Sequence, residues 1–424
     1  MSLSETHRVI DAVWRSESAK VIAGLMRMVR DIGLAEELAQ DALVIALEKW
    51  PRTGVPDNPG AWLMATSKHR AIDRLRRSKL AQRKHEELGR ELESAQDDAA
   101  AGFEELLDDD IGDNVLRLVF TACHPMLSAD AQVALTLRLL GGLTTDEIAR
   151  AFLVPEPTIA QRIVRAKRTL AKANVPFEVP RADAREERLA TVLGVLYLIF
   201  NEGYSATAGE DWMRPALCAE ALRLTRLVAE LAPQEPEVHG LLALMELQAS
   251  RTNARTGANG EPVLLLDQDR SRWDASMIRR GLDALQRAQS PSVVPGPYVL
   301  QAAIAACHAR ASVPVDTDWP QIASLYALLV KLAPSPVVEL NRAVAVSMVE
   351  GPAAGLRLVD MLASEPALRQ YHLLPTVRAD LLVKLGRHAE AEAQFKRAAD
   401  LTRNDRERDL LMARARVAAD AANS

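Results

Sequence analysis

Few cysteines, few aromatic residues and no long apolar run characterise this 424-residue chain. Its three cysteines, Cys123, Cys218 and Cys307, lie far apart and form no CxxC pair, which argues against a disulfide framework and against a zinc site. No stretch approaches the ~18 apolar residues of a membrane span, and the charged N-terminus lacks an apolar signal core. These features predict a cytoplasmic protein that contacts no membrane.

Aromatic residues make up only 4% of the chain, whereas Ala, Leu, Arg and Glu are abundant. This mixture favours helices over sheets and predicts an all-α protein. The length fits about two to four domains at ~100 to 200 residues each. The signatures HExxH, GxSxG, GxxxxGK[ST] and GxGxxG are also missing, so we expect no catalytic constellation, no cofactor and no metal.

The net charge of −5 conceals two blocks of opposite sign. Positive charge is dense from Lys68 to Lys84, whereas residues 86–113 hold twelve acidic residues and one basic residue, Arg90. The acidic block has too few apolar residues to build a core, and it predicts a flexible linker.

Residues 143–170, LTTDEIARAFLVPEPTIAQRIVRAKRTL, have helix-turn-helix spacing. Thr144 or Thr145 is placed to cap a first helix, a Leu-Val-Pro turn follows, and Ile159, Ile163 and Ala166 define the buried side of a second helix. Leu153 stands where such turns usually have glycine. The exposed side of the second helix carries residue types that reach bases and phosphates, namely Thr158, Gln161, Arg162, Arg165 and Arg168. An ordinary helical hairpin with a solvated basic face is the alternative.

Residues 58–80, NPGAWLMATSKHRAIDRLRRSKL, predict one amphipathic helix capped by Asn58, after a loop from Trp50 to Pro59. Trp62, Ala65, Ile72 and Leu75 are expected to face the core. The opposite side carries a row of basic residues that suits phosphates, although a merely solvated face is the alternative. That row comprises Lys68, Arg70, Arg74, Arg76 and Arg77.

Internal similarity marks the C-terminal half. Residues 340–362 resemble residues 377–399, with Gly351 and Gly386 in corresponding turns, a period of about 35 that is typical of tetratricopeptide units. The triplet LAP closes predicted helices at Leu231 and at Leu332.

Together, these motifs resemble the extracytoplasmic-function group of sigma-70 factors, and the later segments FTACHPML, LIFNEGYSA and LLLDQDRSRWD resemble a subgroup with a C-terminal tetratricopeptide-like domain. AEELAQDALVIALEKW (35–50) is similar to the group's core-polymerase-binding helix, and residues 58–77 are similar to its promoter-melting helix. The resemblance implies two small helical sigma modules joined by the acidic linker and followed by a helical-repeat domain. The expected ranges are 1–84 for region 2, 85–110 for the linker, 111–173 for region 4, 174–188 for a tether and 189–424 for a regulatory domain.

The resemblance also implies roles for individual residues. Contact with the β′ clamp helices of core RNA polymerase is implied for Leu38, Gln40, Asp41 and Leu47, and the β flap of the polymerase is implied as a further partner surface. The loop 51–58 is implied to hold a flipped base of the −10 element. Contact with −10 DNA is implied for Asn58, Trp62, Arg70, Arg74, Arg76 and Arg77. Contact with the −35 duplex is implied for Thr158, Gln161, Arg162, Arg165 and Arg168. The acidic linker is either a nucleic-acid mimic in the polymerase's RNA path or a solvated tether.

The segment DQDRSRWD (267–274) is a candidate regulatory cluster of Asp267, Asp269, Arg270 and Trp273. A calcium loop is disfavoured because Arg272 stands where that loop needs glycine. Ion pairing and packing is the preferred interpretation, and a role in holding domains together stays open. Cys123-His124 and Cys307-His308 are interpreted as core or helix-end residues, and Asn201 to Ser205 as a glycine-centred helix end.

Three classes of function remain. The favoured hypothesis is a sigma factor that directs promoter recognition and DNA melting, with its repeat domain as the regulator or as the surface for a regulatory protein. A one-component helix-turn-helix regulator with a sensing repeat domain is the second. A hydrolase or metal-dependent enzyme built on Asp267, Asp269 and Asp274 is the third. Only a sigma factor needs both a polymerase-binding helix and a promoter-melting helix, which residues 35–80 resemble.

Overall fold

The chain is all-α in the computed structural model, which describes residues 3–87, 111–152, 154–257, 260–289 and 294–423. The predicted acidic linker lies largely outside these residues, as does Leu153 of the predicted turn. Two compact units make up the chain, Met1–Val195 and Leu196–Ser424, here called the N-terminal and C-terminal units.

Eighteen α-helices lie within the described residues. The first eight are α1 (Leu3–Val29), α2 (Ile32–Thr53), α3 (Pro59–Glu87), α4 (Ile111–Ala122), α5 (Ala129–Leu139), α6 (Thr145–Phe152), α7 (Glu156–Lys172) and α8 (Ala182–Tyr204). The next five are α9 (Pro215–Leu231), α10 (Pro236–Ala249), α11 (Ala275–Ala288), α12 (Pro297–Arg310) and α13 (Trp319–Leu332). The last five are α14 (Pro336–Glu350), α15 (Pro352–Leu362), α16 (Leu373–Lys384), α17 (His388–Leu401) and α18 (Asp405–Asn423).

Helices α1, α2 and α3 pack against one another at the start of the N-terminal unit. The face of α3 that is buried there carries Leu63, Ser67 and Ala71, spaced four residues apart. The expectation that Ala65 faces the core is wrong, because Ala65 is exposed. Helical periodicity explains the difference, since Ala65 lies two residues, more than half a turn, from both Leu63 and Ser67. The Ser67 hydroxyl donates to the Leu63 carbonyl at 2.8 Å inside the buried face.

The loop expected from Trp50 to Pro59 is shorter in the structure. Helix α2 continues through Pro51 to Thr53, and Gly54, with φ of +85°, ends it while its N–H donates to the Trp50 carbonyl at 3.0 Å. A proline in the last turn removes only one backbone hydrogen bond, so the helix tolerates it there. The non-helical connection is therefore residues 54–58.

Helices α4 to α7 form the second part of the N-terminal unit, and α1 packs against both α4 and α5. Gly142, between α5 and α6, has φ of +67°, and a Cβ atom there would lie 2.9 Å from the Ser18 hydroxyl of α1. Arg188 of α8 donates to the Phe120 carbonyl of α4 at 2.7 Å. The two helical modules are thus packed into one body.

In the C-terminal unit, each helix from α9 to α18 packs against the next. Gly351 and Gly386 have φ of +94° and +73° in the turns α14–α15 and α16–α17, as the repeat predicted. Leu231 and Leu332 end helices, which confirms the expectation from the LAP triplets.

The described part of the C-terminal unit also contains one short pair of β-strands. Ala208–Gly209 pairs in parallel with Arg403–Asn404, and the buried Asn404 amide donates to the Asp211 carbonyl at 2.8 Å. Helix α8 ends at Tyr204, inside the segment Asn201–Ser205 where the sequence predicts a helix end, and Gly203 lies in its last turn. A Cβ atom at Gly203 would lie 2.6 Å from the backbone nitrogen of Cys218, so glycine is needed for close packing.

Candidate nucleic-acid interface

Helices α6 and α7 form the helix-turn-helix that the sequence predicts. The Thr144 hydroxyl accepts from the Glu147 N–H at 3.1 Å, and the Glu147 carboxylate accepts from the Thr144 N–H at 2.8 Å, which is a capping box. The chain turns at Val154, and α7 begins after Pro155. Ile159, Ile163 and Ala166 are buried, which confirms the expected inner side of α7.

The outer side of α7 carries most of the residues expected to contact the −35 duplex. Thr158, Gln161, Arg165 and Arg168 are all exposed, and their spacing places them on one face. Arg162 differs because it is only partly exposed and pairs with Asp130 of α5 at 3.0 Å. Four of the five predicted side chains therefore form a single polar row.

Helix α3 presents the second basic surface. The Asn58 side chain accepts from the Ala61 N–H at 3.1 Å and caps the helix, as predicted. Arg70, Arg74, Arg76 and Arg77 are exposed. Arg70 lies 3.5 Å from Asp41 of α2, an exposed pair of the kind that contributes little stability and is readily exchanged for another anion.

Trp62 is expected both to contact −10 DNA and to face the core. In the structure it lies at the boundary between the buried face of α3 and its exposed face. It is partly exposed and packs edge-on against the buried Trp50 of α2, with ring centres 5.3 Å apart. This contact fixes the start of α3 against the end of α2, beside the connection 54–58.

The residues expected to bind core polymerase lie on α2 with different exposures. Asp41 and Leu47 are partly exposed, and so is Gln40, whose amide donates to Glu36. Leu38 is only 4% exposed. In this arrangement Leu38 belongs to the core of the N-terminal unit, and Gln40, Asp41 and Leu47 lie at its surface.

Glu36 connects the two modules, and sequence reasoning missed it. It is 3% exposed on α2, its carboxylate lies 2.6 Å from Nε of Arg138 on α5, and it also pairs with Lys167 on α7. Burial acts to raise the pKa of Glu36, but the charges and hydrogen bonds of Lys167 and Arg138 outweigh it, so this pKa lies below its ordinary value. The only sequence signal is a carboxylate on the apolar side of an amphipathic helix.

A second polar contact links the same modules. Arg15 of α1 lies 2.6 Å from the capping carboxylate of Glu147, and Arg138 also donates to the Leu143 carbonyl at 3.0 Å. Together with Glu36, these contacts attach the back of the helix-turn-helix to α1 and α2. The polar row of α7 stays exposed.

The segment 267–274 is arranged differently from the expected ion-pair cluster. Asp267 is exposed, and Asp269 accepts from the Ser271 N–H at 2.9 Å and caps a short 3-10 helix. Asp274 caps α11 by accepting from the Ser276 N–H at 2.8 Å. Trp273 is 7% exposed, which agrees with the predicted packing. The predicted ion pairing differs, because the carboxylates of Asp269 and Asp274 accept hydrogen bonds from serines instead of arginines.

Cys123 and Cys307 are buried and unpaired, in line with core or helix-end positions. Burial raises the pKa of Cys123 to about 12. Within the part of the chain that the structure describes, no helix is long and apolar enough to cross a membrane. Among the same residues, no group of three or more His, Cys, Asp or Glu side chains is arranged to hold a metal ion.

Comparison with family models gives three matches along the chain. Residues 13–80 match the model described as Sigma-70 region 2, and residues 117–170 match Sigma-70, region 4. Residues 188–289 match a family of unknown function, DUF6596.

Two relatives with curated sequences match different shares of the chain. An uncharacterized protein of Rhizobium meliloti is 46% identical over 396 residues, which cover 93% of this chain and 92% of that protein. The ECF RNA polymerase sigma factor SigK of Mycobacterium bovis is 28% identical over 156 residues, covering 36% of this chain and 78% of that factor. Among solved structures, yeast Tom70 matches 94% of this chain and 83% of its own at 13% identity and a TM-score of 0.38, which is too distant to assign a shared fold.

Proposed function

Because the chain belongs to the extracytoplasmic-function group of the sigma-70 family, with RNA polymerase and promoter DNA as its partners, we propose which of its surfaces carry each step of initiation. Helix α3 contacts and helps to melt the −10 element, α7 reads the −35 duplex, and α2 holds the polymerase. The C-terminal unit regulates these steps. A sigma factor performs no covalent chemistry of its own, so the proposal needs no catalytic residue.

The observation that carries the proposal is the pair of exposed polar rows on α3 and α7. Arg70, Arg74 and Arg77 lie along one helix, and Arg165 and Arg168 lie along the other. Arginine side chains at such spacing neutralise phosphates and bind the edges of guanine bases in a groove. Trp62, beside the connection 54–58, supplies an aromatic ring on which an unpaired base stacks and is read.

For polymerase binding, the proposal assigns the surface of α2 that includes Gln40, Asp41 and Leu47. These side chains combine an amide, a carboxylate and an apolar group, which suits a mixed contact with the β′ clamp helices. Leu38 supports this surface from the core, because it is buried under it. A contact of the helix-turn-helix with the β flap completes the assignment.

The C-terminal unit is the part of the chain to which the proposal assigns regulation. The unit's helices offer a large surface, and its segment 196–289 falls within the match to a family of unknown function. A helical-repeat surface of this kind suits a protein partner.

Run-off transcription from genomic fragments, with purified core polymerase and the full chain, tests the proposal. Specific start sites that depend on the added chain are expected, and Arg74→Gln should abolish open-complex formation detected by permanganate footprinting. Arg8→Gln, an exposed arginine on α1 that belongs to neither row, is the matched control. A second form of the chain ending at Val195, checked for helical content by circular dichroism, measures whether the C-terminal unit restrains or supports initiation.

One result would overturn the whole proposal, and another would overturn only its regulatory part. Absence of specific starts, together with failure of the chain to bind core polymerase while it still shifts duplex DNA, would indicate the one-component regulator instead. Equal transcription by the full chain and by the chain ending at Val195 would remove the regulatory role and leave the rest.

A further inference from the structure

Three arginines of the C-terminal unit share one group of aromatic rings. The guanidinium carbon of Arg255 lies 3.5 Å from the centre of the Tyr204 ring, and that of Arg251 lies 5.8 Å from the same centre. Arg251 also lies 5.9 Å from the centre of a Trp273 ring, and Arg270 lies 5.0 Å from that centre. Arg251 therefore stands between the other two, and the three positive charges are neighbours.

No carboxylate balances this charge at close range. Among the described residues, no carboxylate oxygen lies within the ion-pair distance of 4.0 Å of any of the three guanidinium groups. Arg255 donates to the Tyr204 carbonyl, and Arg270 donates to the carbonyls of His308 and Ala311 at 2.8 and 2.6 Å. The exposed Asp316 acts on Arg270 only at longer range.

Elsewhere in the same unit, buried charge is neutralised in the usual way. Glu246, 1% exposed, pairs with Arg226 at 2.6 Å and with Arg280 at 3.1 Å. Buried charges in proteins are normally paired in this manner. The cluster of Arg251, Arg255 and Arg270, here called the arginine cluster, departs from that rule.

The electrostatic consequences appear on neighbouring groups. Arg255 is 7% exposed, and burial together with the charge of Arg251 lowers its pKa. Burial, Arg251 and Arg270 also lower the pKa of His308 to about 4, so its imidazole is neutral at physiological pH. The region has a positive potential that would favour an anion.

Unused hydrogen-bond donors lie in the same place. Nε of Arg251, Nε of Arg270 and the indole Nε1 of Trp273 are buried, and no described protein group accepts from them. Arg251 and Arg270 keep partial exposure, so a small molecule in solvent can reach the edge of the cluster. Buried donors without a protein acceptor are available to a bound water or ligand, and three of them lie together at this charged place.

We propose that Arg251, Arg255 and Arg270 form a binding site for a phosphate group, either free or carried by a small phosphomonoester. The planar fork of arginine donors matches phosphate oxygens, and a phosphate dianion balances two of the three charges. The site does not depend on the sigma-factor role. It assigns a ligand class to the segment that matches the family of unknown function.

Thermal unfolding of the full chain tests the site with two probes, inorganic phosphate and a nucleoside monophosphate, against sodium chloride of equal ionic strength. At about ten times Kd, a bound probe should raise the Tm of the C-terminal unit by about 3–6 °C. Arg251→Gln should lose this rise, since the Arg251 guanidinium has no hydrogen bond to a described residue and its removal is the least disruptive to folding. Arg272→Gln, exposed in the same segment, should keep it.

The outcomes separate the two sources of phosphate. A rise with inorganic phosphate means that the free anion suffices, and a rise with the nucleotide alone means that a phosphomonoester is required. Equal behaviour of the wild-type chain, Arg251→Gln and Arg272→Gln overturns the proposal, because the effect is then one of general salt. No rise with either probe overturns it as well.

A second measurement needs no folded variant at Arg251. The imidazole resonance of His308, identified by its loss in His308→Gln, is titrated with and without phosphate in the wild-type chain. An anion beside Arg251 and Arg270 should raise the pKa of His308 by cancelling their repulsion. An unchanged titration would contradict binding at this cluster.

Discussion

The carboxylate of Glu36 on α2 lies 2.6 Å from Nε of Arg138 on α5, and so joins the two helical modules of the N-terminal unit. Glu36 is almost fully buried, whereas about a fifth of the side-chain surface of Arg138 and of Lys167, its second partner, stays exposed. A buried carboxylate between two cations is stable only while both partners remain in place. The packing of the two modules is thus electrostatic as well as apolar.

Replacing Glu36 by glutamine should destabilise the N-terminal unit by about 3 kcal/mol, because two cations lose their counterion. The pKa of Glu36 lies below its ordinary value of 4.5, so its stabilising charge is present at neutral pH and is lost as the pH falls below 4.5. Urea unfolding between pH 7 and pH 3 measures both effects. Glu36→Gln should show a weaker acid dependence than Glu37→Gln, an exposed control on the same helix.

Arg165→Gln should weaken binding to −35 duplex DNA and reduce the dependence of log K on log salt by about 1, because one phosphate or base contact is lost. Fluorescence anisotropy over a range of salt concentrations measures this. Arg150→Gln on α6, whose side chain pairs with Asp146 at 2.8 Å, is the control for a generic loss of charge. Identical losses in the two variants would argue against a specific role of Arg165.

Asp41→Asn should weaken binding to core polymerase and leave binding to isolated duplex DNA intact. Asp41 is partly exposed on α2, and its exposed pair with Arg70 contributes little to stability. Pull-down with core polymerase and anisotropy with DNA separate the two activities. Parallel losses in both assays, with altered thermal unfolding, would indicate misfolding instead.

The C-terminal unit should lose stability as the pH falls from about 6.5 to about 4. His308 is neutral in the folded chain because burial, Arg251 and Arg270 lower its pKa to about 4, whereas the unfolded chain binds a proton from about pH 6.5 downwards. Above about pH 6.5 this difference in proton binding costs the folded chain no stability. At pH values down to about 4 it lowers the free energy of unfolding by up to roughly 3 kcal/mol. His308→Gln should flatten this part of the pH profile in thermal unfolding, and an unchanged profile would exclude His308 as its source.

Local pattern was enough to predict much of the fold. The buried side of α7, with Ile159 and Ile163, follows from helical periodicity, and the turns at Gly351 and Gly386 follow from the conformational freedom of glycine. The exposed row on α3 follows from the same reasoning, although the buried face is centred on Leu63, Ser67 and Ala71 and not on Ala65.

By itself, the sequence determined the helical class, the helix-turn-helix, the charge of the two candidate DNA-binding rows and the family to which the chain belongs, because these depend on periodicity and on motifs of contiguous residues. Only the tertiary structure decided the partners of Glu36, which lie 102 residues away at Arg138 and farther still at Lys167. It also decided that Asp269 and Asp274 cap helices while Arg270 joins Arg251 and Arg255 around shared rings. Such pairings arise when distant helices pack, and no local spacing encodes them.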